Sequence, residues 1–412
     1  MIPASAPIQR PADARLLVVD SGGQIRDMLR SSFPTLLRSG DIVVANDAAT
    51  LPASIFGVHK RSGRSIEVRL AGSESIFHED VRQFTAVVFG EGNYRTPTER
   101  RRSPPELRPG DTLQLGPLTA TVLELLGHSR FALIRFEGPS ESIWEGLARH
   151  GRPIQYSHIP APLSVWDTWT PIAGLPVAFE PPSAGFALDW RTLDAIHRLG
   201  VHFATITHAA GISSTGDAKL DTRLPFDEPY RITESAARSI RLAWAVGGRL
   251  IAIGTTVVRA LEHAVSIHGS LRETTGVATN KIGPATELRV VDAILSGTHE
   301  PGTSHHQLLS AFVDQQTLAK MDQILQQHAY RTHEFGDSVF VEKSKNRESW
   351  MEPVELGRAI VPPPKVTRCR DLLKSGVQPT RHILEVNNND KSKSSEGRNF
   401  AVIVLCSLPK FA

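Results

Sequence analysis

The sequence predicts a mixed α/β main domain with a small β-barrel domain inserted into it, and three observations carry that prediction. Short apolar, β-branched runs ending in polar residues, RLLVVD at 15–20 and IVVAND at 42–47, give a strand texture that returns after residue 159 in alternation with helical spacing. Between about Ser65 and Glu137 the texture becomes short alternating strands separated by Pro-Gly-Asp and Gly-Pro turns, as in a small barrel. From about Ser344 the core pattern stops: VPPPK, NNNDKSKSS and an apolar stretch at 400–408 compose a low-complexity tail, expected to be disordered. The limits read from this are 1–60 and 155–343 for the discontinuous α/β domain, 61–154 for the barrel and 344–412 for the tail.

Taken in order, Arg15–Asp20 and Ile42–Asp47 read as strands flanking the mixed segment Gln24–Arg38, and Asn46-Asp47 stands at a strand end. Thr112–Leu115, Thr119–Leu126 and Phe131–Phe136 alternate as barrel strands. The segment GEGNYRTPTERRRSPPELRPG at 90–110 is too rich in Gly, Pro and Arg to be anything but a long loop. It reads either as a solvated excursion or as a phosphate-contacting loop using Arg95, Arg100, Arg101, Arg102 and Arg108. Further on, Trp190–Leu199 is amphipathic, Val201–His208 alternates like a strand, and Glu234–Val246 has helical spacing. Arg249–Gly254 then feeds through Thr255-Thr256 into the helical run Val257–Val265. At such a junction the hydroxyls stand where a helix wants N-caps, and the free N–H groups suit a carboxylate or phosphate.

Composition narrows the function. The chain has 412 residues, and its only cysteines, Cys369 and Cys406, lie near the C-terminus. Cysteine catalysis and Cys-built metal sites are thereby excluded from everything before them. Residues 344–412 carry 12 Lys and Arg against 7 Asp and Glu, so the pI of 8.9 belongs to the tail and implies no basic face on the body. The N-terminus lacks the apolar core of a signal peptide and no apolar run has the length of a membrane span, so the cytoplasm is the expected location. Gly-rich dinucleotide and P-loop fingerprints are missing.

Four clusters offer chemistry. Asn46-Asp47 reads equally well as a ligand-binding strand end or as a turn. The segment PPSAGF at 181–186 and His208-Ala209-Ala210-Gly211 combine small residues, which let a backbone approach a ligand, with a strand-end histidine. Thr255, Thr256, Arg259 and Glu262 share a helix face at spacings of four and three, so that Arg259 could grip an anion and Glu262 orient it. The last is His299 with His305 and His306; adjacent His305 and His306 cannot both face one ion on a strand, so no metal site is expected.

These segments, in this order, resemble the S-adenosylmethionine:tRNA ribosyltransferase-isomerase family of the queuosine pathway. The matching stretches include LRSGDIVVANDAATLPASIFG at 37–57, GRPIQYSHI at 151–159, PPSAGFALD at 181–189, GVHFATITHAAG at 200–211, GGRLIAIGTTVVRALEHA at 247–264, VVDAILSGTHEPGTS at 290–304 and FGDSVFV at 335–341. The family's Asn-Asp-Thr-Arg is here Asn46-Asp47-Ala48-Ala49, its Pro-Thr-Ala-Gly-Leu-His is Pro182-Ser183-Ala184-Gly185-Phe186-Ala187, and of its His-x-x-His-x-Glu only Glu228 is kept. The resemblance implies transfer and isomerisation of the ribosyl unit of S-adenosylmethionine onto 7-aminomethyl-7-deazaguanine in tRNA, releasing adenine and methionine and giving epoxyqueuosine. It implies His208, Asp47 and Glu228 as catalytic residues and Asn46, Ser183, Gly185, Thr255, Thr256, Arg259, Glu262 and His299 as substrate-binding. Arg100, Arg101 and Arg102 would contact tRNA. The expected partners are S-adenosylmethionine and tRNA, with no membrane, no metal, no separate cofactor and a monomeric chain. The changed positions leave a second reading: a diverged relative that keeps the fold but acts on another acceptor or only binds RNA.

Overall fold

The computed structural model describes residues 1–344, the side chain of His78 excepted; the expected tail, beyond its first residue, and both cysteines lie outside the described residues. Nine strands form the main sheet, in the order Thr274–Ala278, Glu228–Ile232, His202–His208, Ile42–Asn46, Leu250–Ile253, Ala293–Gly297, Ser338–Glu342, Arg15–Val19, Ile25–Leu29. Its centre is parallel, from His202–His208 through Ile42–Asn46 and Leu250–Ile253 to Ala293–Gly297, so those strands are covered on both faces and read as unbroken apolar runs. Alternation assigns each residue its side. Leu17, Val19, Ile42 and Val44 face one core, with Ile206, Leu250 and the helices Glu234–Ala245, Thr255–His268 and Gln315–Gln327. Leu16, Val18, Val43 and Ala45 face the other, with Ile251, Leu295 and Ile196 of the helix Trp190–Arg198.

The mixed segment after the first strand resolves into an antiparallel partner, Ile25–Leu29, followed by the 3-10 turn Arg30–Leu36. At the βα junction the structure departs from expectation: Gly254, with φ 92°, is the N-cap, and Thr255 and Thr256 are already helical. An L side chain is strained in that region of φ, which is why glycine stands there. The helix runs to His268 and stops at Gly269 in the left-handed conformation, an ordinary helix terminator.

The barrel is closed and antiparallel, in the order Leu118–His128, Phe131–Phe136, Gln83–Phe89, Arg64–Gly72, Ser54–His59, Thr112–Leu115. It takes in Ser54–His59, ahead of the expected limit at residue 61, because Ile55 faces the barrel core with Val68, Leu70 and Val88. The Arg-rich excursion is a loop between Phe89 and Thr112 with one 3-10 turn at Thr98–Arg100. Arg101 does not lie on its surface. Its guanidinium is buried, bonded to Glu67 and the Gly90 carbonyl, and it stacks with Arg69 and Arg130 around the Phe89 ring at 5.1, 4.9 and 5.4 Å. Glu67, bonded also by Arg69 Nε at 2.7 Å and the Ser54 hydroxyl at 2.8 Å, is the carboxylate that balances this cationic interior. Burial alone would raise its pKa, yet the two guanidiniums hold it below the ordinary value. Glu67→Gln should therefore cost about 3–5 kcal/mol, as for removal of one partner from a buried pair, read as a drop in the urea midpoint; a change under about 0.5 kcal/mol would show that the arginines need no counter-charge.

Candidate active site

The parallel strands end together, and their last residues are fastened by side chains. Asn46 Oδ1 accepts from the backbone N–H groups of Ala48 and His208, both at 3.0 Å, while its Nδ2 donates to the His208 carbonyl at 2.9 Å and to Thr256 Oγ1 at 3.3 Å. One amide thus locks two strand ends and the start of the helix. The His208 ring is completely buried, and its Nδ1 lies 2.7 Å from the Thr256 carbonyl. A carbonyl only accepts, so Nδ1 carries the proton and Nε2 is the nitrogen left to gain or lose one. Nε2 stands 3.1 Å from Glu228 Oε2, at ion-pair distance, but makes no aligned hydrogen bond.

Glu228 is the centre of this network. Its Oε1 accepts from the Gly211 N–H at 2.5 Å and its Oε2 from Arg259 Nη1. A Cβ on Gly211 would come within 2.8 Å of the carboxylate, so glycine allows the contact. Burial pushes the Glu228 carboxyl up, but the Arg259 guanidinium and then His208 more than offset this and hold it at about 2.

Arg259 and Glu262 are a correction to the sequence reading. Arg259 spends its other bonds on the carbonyls of Asn280, Phe226 and Ala278, at 2.9, 2.8 and 2.7 Å. Four of its five donors are engaged, which leaves no fork for a substrate anion. Glu262 does not touch it. It accepts instead from the backbone N–H groups of Arg289, Val290 and Val291, at 2.9 to 3.0 Å. The helix is packed nearly all round, so polar residues at helical spacing found different backbone partners.

Asp47 is a second correction. Thr205 and Thr207 donate to its two carboxylate oxygens at 2.7 Å each. Those threonines alternate with Ala204 and Ile206, which share the His208 side of the strand, so Asp47 is held on the opposite side of the sheet from His208. Ser183 and Gly185 lie in the 3-10 turn Ser183–Ala187, whose Ala184 packs on Gly254, the N-cap that precedes Thr255. His305 and His306 are on a short helix, Ser304–Leu309, rather than a strand. His299 packs on His305, with ring centres 4.5 Å apart, while His306 turns to Asp322 at 2.9 Å. Among the described residues no group of three or more His, Cys, Asp or Glu is placed to hold a metal ion.

The structure also assembles a cleft that sequence reasoning missed. Tyr156, His158, Glu180 and Glu334 line one narrow opening together with Leu163 and Phe335. The Tyr156 hydroxyl donates to Glu180 Oε1, which also accepts from the Ser213 N–H at 3.1 Å. His158 Nε2 lies 3.2 Å from Glu334 Oε2, and its ring stacks on His333 at 4.1 Å. Burial, then the charge of Glu334, pushes Glu180 up to about 7. Glu334 goes the other way: burial raises it, but His158 and His333 hold it below the ordinary carboxylate value. The backbone N–H groups of Phe179 and Glu180 lie 2.8 and 3.4 Å from the Ala210 carbonyl, so the cleft adjoins the segment that follows His208. The available signal was position: Glu180 directly precedes PPSAGF, Glu334 directly precedes FGDSVFV, and Tyr156 and His158 lie inside GRPIQYSHI.

The sequence model of a family described as "Queuosine biosynthesis protein" matches residues 2–341. A protein of Thermosynechococcus vestitus named S-adenosylmethionine:tRNA ribosyltransferase-isomerase is 29% identical over 337 residues, covering 80% of this chain and 90% of its own. One of the same name from Thiobacillus denitrificans is 28% identical over 338 residues, covering 80% and 91%. The crystal structure of S-adenosylmethionine tRNA ribosyltransferase from Thermotoga maritima is similar at 21% identity, covering 82% of this chain and 96% of that one, with a TM-score of 0.44.

The Glu228 network makes a signed prediction. A carboxyl held at about 2 against an ordinary 4.5 stabilises the fold fully above 4.5 and loses that contribution as pH falls toward 2. Arg259→Met should lower the unfolding midpoint at pH 7 by the equivalent of about 3–5 kcal/mol and flatten its acid dependence below pH 4.5. A variant as stable as the parent, with weakened ligand binding alone, would return Arg259 to the role of a substrate ligand.

Proposed function

We propose, from the premise that this chain belongs to the queuosine biosynthesis protein family, that it transfers and isomerises the ribosyl moiety of S-adenosylmethionine onto 7-aminomethyl-7-deazaguanine in tRNA, releasing adenine and methionine and giving epoxyqueuosine. Supporting this above all is the match across residues 2–341, because that span contains both the strand-end network and the cleft. The named relatives add that proteins alike over four-fifths of this chain bear the name of this enzyme.

The chemistry suits the side chains. A sulfonium acidifies the neighbouring C5′ protons, so a positioned base can begin the reaction, and the departing adenine is helped by a proton donor. In our reading His208 is the base: Thr256 fixes its tautomer, and a proton arriving at Nε2 is stabilised by Glu228 3.1 Å away. Glu228 and Glu334, both held below the ordinary carboxylate value, supply negative charge beside the sulfonium and the amine. The helix start at Thr255 and Thr256, with Ser183 and Gly185 opposite, receives the methionine carboxylate. Asn46 fixes the strand ends, and His299 backs His305. The sulfonium is itself the activated group, so the reading needs no metal or further cofactor. No helix among the described residues is long and apolar enough to cross a membrane. We place the activity in the cytoplasm, in a monomer.

Exposed Arg100 and Arg102 remain as tRNA contacts, Arg102 paired at the surface with Glu91 at 2.8 Å. Replacing both by Ala should weaken tRNA binding and reduce the salt slope by about 2, leaving S-adenosylmethionine binding unchanged; an unchanged slope makes the loop a solvated excursion.

The direct test incubates the protein with S-adenosylmethionine and tRNA carrying the aminomethyl-deazaguanine, then counts adenine and epoxyqueuosine. Equal amounts of the two are expected, and His208→Gln should lower kcat by about 100-fold or more with KM little changed. Adenine release that is absent, or present without the modified nucleoside, would overturn the proposal.

A further inference from the structure

The cleft beside the strand ends holds two carboxyl groups whose surroundings differ. Glu334 faces His158 and His333, and through them stays ionised. Glu180 sits at 8% exposure, enclosed by the Tyr156 hydroxyl and the Ser213 N–H, with Glu334 as the charged group across the cleft. No cation bonds to it among the described residues; Arg69 approaches only the far side, 5.5 Å from the Tyr156 ring centre, with its Nη2 on the Gln155 carbonyl. Paired carboxyl groups whose environments push them apart divide into a proton holder and an ionised partner.

We propose that Glu180 is the catalytic acid that protonates the departing adenine, with Tyr156 as its positioning residue. The inference rests on the ribosyl-transfer reading above and names the proton source that reading leaves open. In this step the Glu180 O–H bond breaks and its proton joins a ring nitrogen of adenine. The glycosidic C1′–N9 bond breaks with its electron pair passing to the adenine, which departs neutral, while the ring oxygen O4′ shares a lone pair with C1′ and leaves that carbon as an oxocarbenium centre. Glu180 is left as a carboxylate beside Glu334 and recovers its proton from solvent once the base has gone. Their mutual repulsion favours that return, and burial keeps the acid form populated at neutral pH.

Tyr156 controls the poise. Its hydroxyl donates to Glu180 Oε1 and receives the Ser214 N–H at 3.3 Å and the Ser213 hydroxyl at 3.3 Å, so three groups fix the oxygen that orients the acid. Donation to a carboxylate favours the ionised form, so this bond restrains the upward shift that burial imposes. Removing it should move the titration of Glu180 to higher pH without removing the acid.

The test follows adenine release by the full chain, with S-adenosylmethionine and the modified tRNA substrate, across pH 5.5 to about 9. For the parent, kcat should fall as pH rises above about 7, because the acid form is lost. Glu180→Gln should lower kcat by about 100-fold or more, abolish that basic limb, and leave KM for S-adenosylmethionine within about threefold. Tyr156→Phe should keep most of kcat and shift the basic limb to higher pH, a result that a merely structural tyrosine would not give. As a second readout, the stability of the parent relative to Glu180→Gln should fall as pH rises from 4.5 to 7, since a group with a raised folded value binds its proton more tightly when folded. If the parent releases no adenine, the reaction reading fails, and this proposal with it. If the parent is active but Glu180→Gln keeps the parent's kcat and basic limb, or Tyr156→Phe leaves the limb in place, the assignment of Glu180 is overturned while the reaction stands.

Discussion

A single buried carboxylate, Glu228, ties together the edge of the sheet on which the site is built. It joins the strand Glu228–Ile232, the turn after His208 through the Gly211 N–H, and the helix Thr255–His268 through Arg259. Arg259 extends the tie to the carbonyls of Phe226, Ala278 and Asn280. A buried charge pair adds little net stability compared with apolar packing, but losing one partner is costly, so such a network selects one arrangement rather than a deeper energy minimum. What it selects here is the position of His208, with one ring nitrogen on a carbonyl and the other beside the carboxylate. Asn46 makes the corresponding tie on the neighbouring strand.

Where the sequence was informative, a local rule was sufficient. The central strands were legible because each is apolar on both sides, Ile42 and Val44 toward one core and Val43 and Ala45 toward the other. The barrel was legible from its turns and alternation, though its first strand, Ser54–His59, looks like a continuation of the α/β texture and is claimed by the barrel only through pairing with Arg64–Gly72. Where a local rule misled, tertiary packing decided. Spacing set Arg259 and Glu262 on one helix face, but in a helix buried nearly all round each reached a different stretch of backbone. Three consecutive arginines look alike in sequence, yet Arg101 turns inward to Glu67 while Arg100 and Arg102 stay exposed. Asp47 follows Asn46 directly, and that one-residue step places it on the other side of the sheet.

The cleft was the least legible feature, because nothing local unites its parts. Tyr156 and His158 follow the helix Ser140–His150, Glu180 follows the short strand Pro176–Ala178, and Glu334 precedes the strand Ser338–Glu342. Only the folded chain sets two carboxyl groups across one opening with opposite pKa displacements. Chemistry that must both remove and deliver a proton needs that division of labour, and the strand-end network next to it supplies a histidine of fixed tautomer.

We propose that S-adenosylmethionine reacts in the cleft lined by Tyr156, Glu180 and Glu334, which adjoins the segment following His208. Photo-crosslinking with an S-adenosylmethionine analogue azidated on the adenine ring, mapped by peptide mass spectrometry, tests it most directly. Adducts should fall within residues 154–159, 180–186 or 333–335, around Tyr156, Glu180 and Glu334. Adducts confined to the Asp47 side, around Thr205 and Thr207, or to the barrel loop at 90–111, would contradict it.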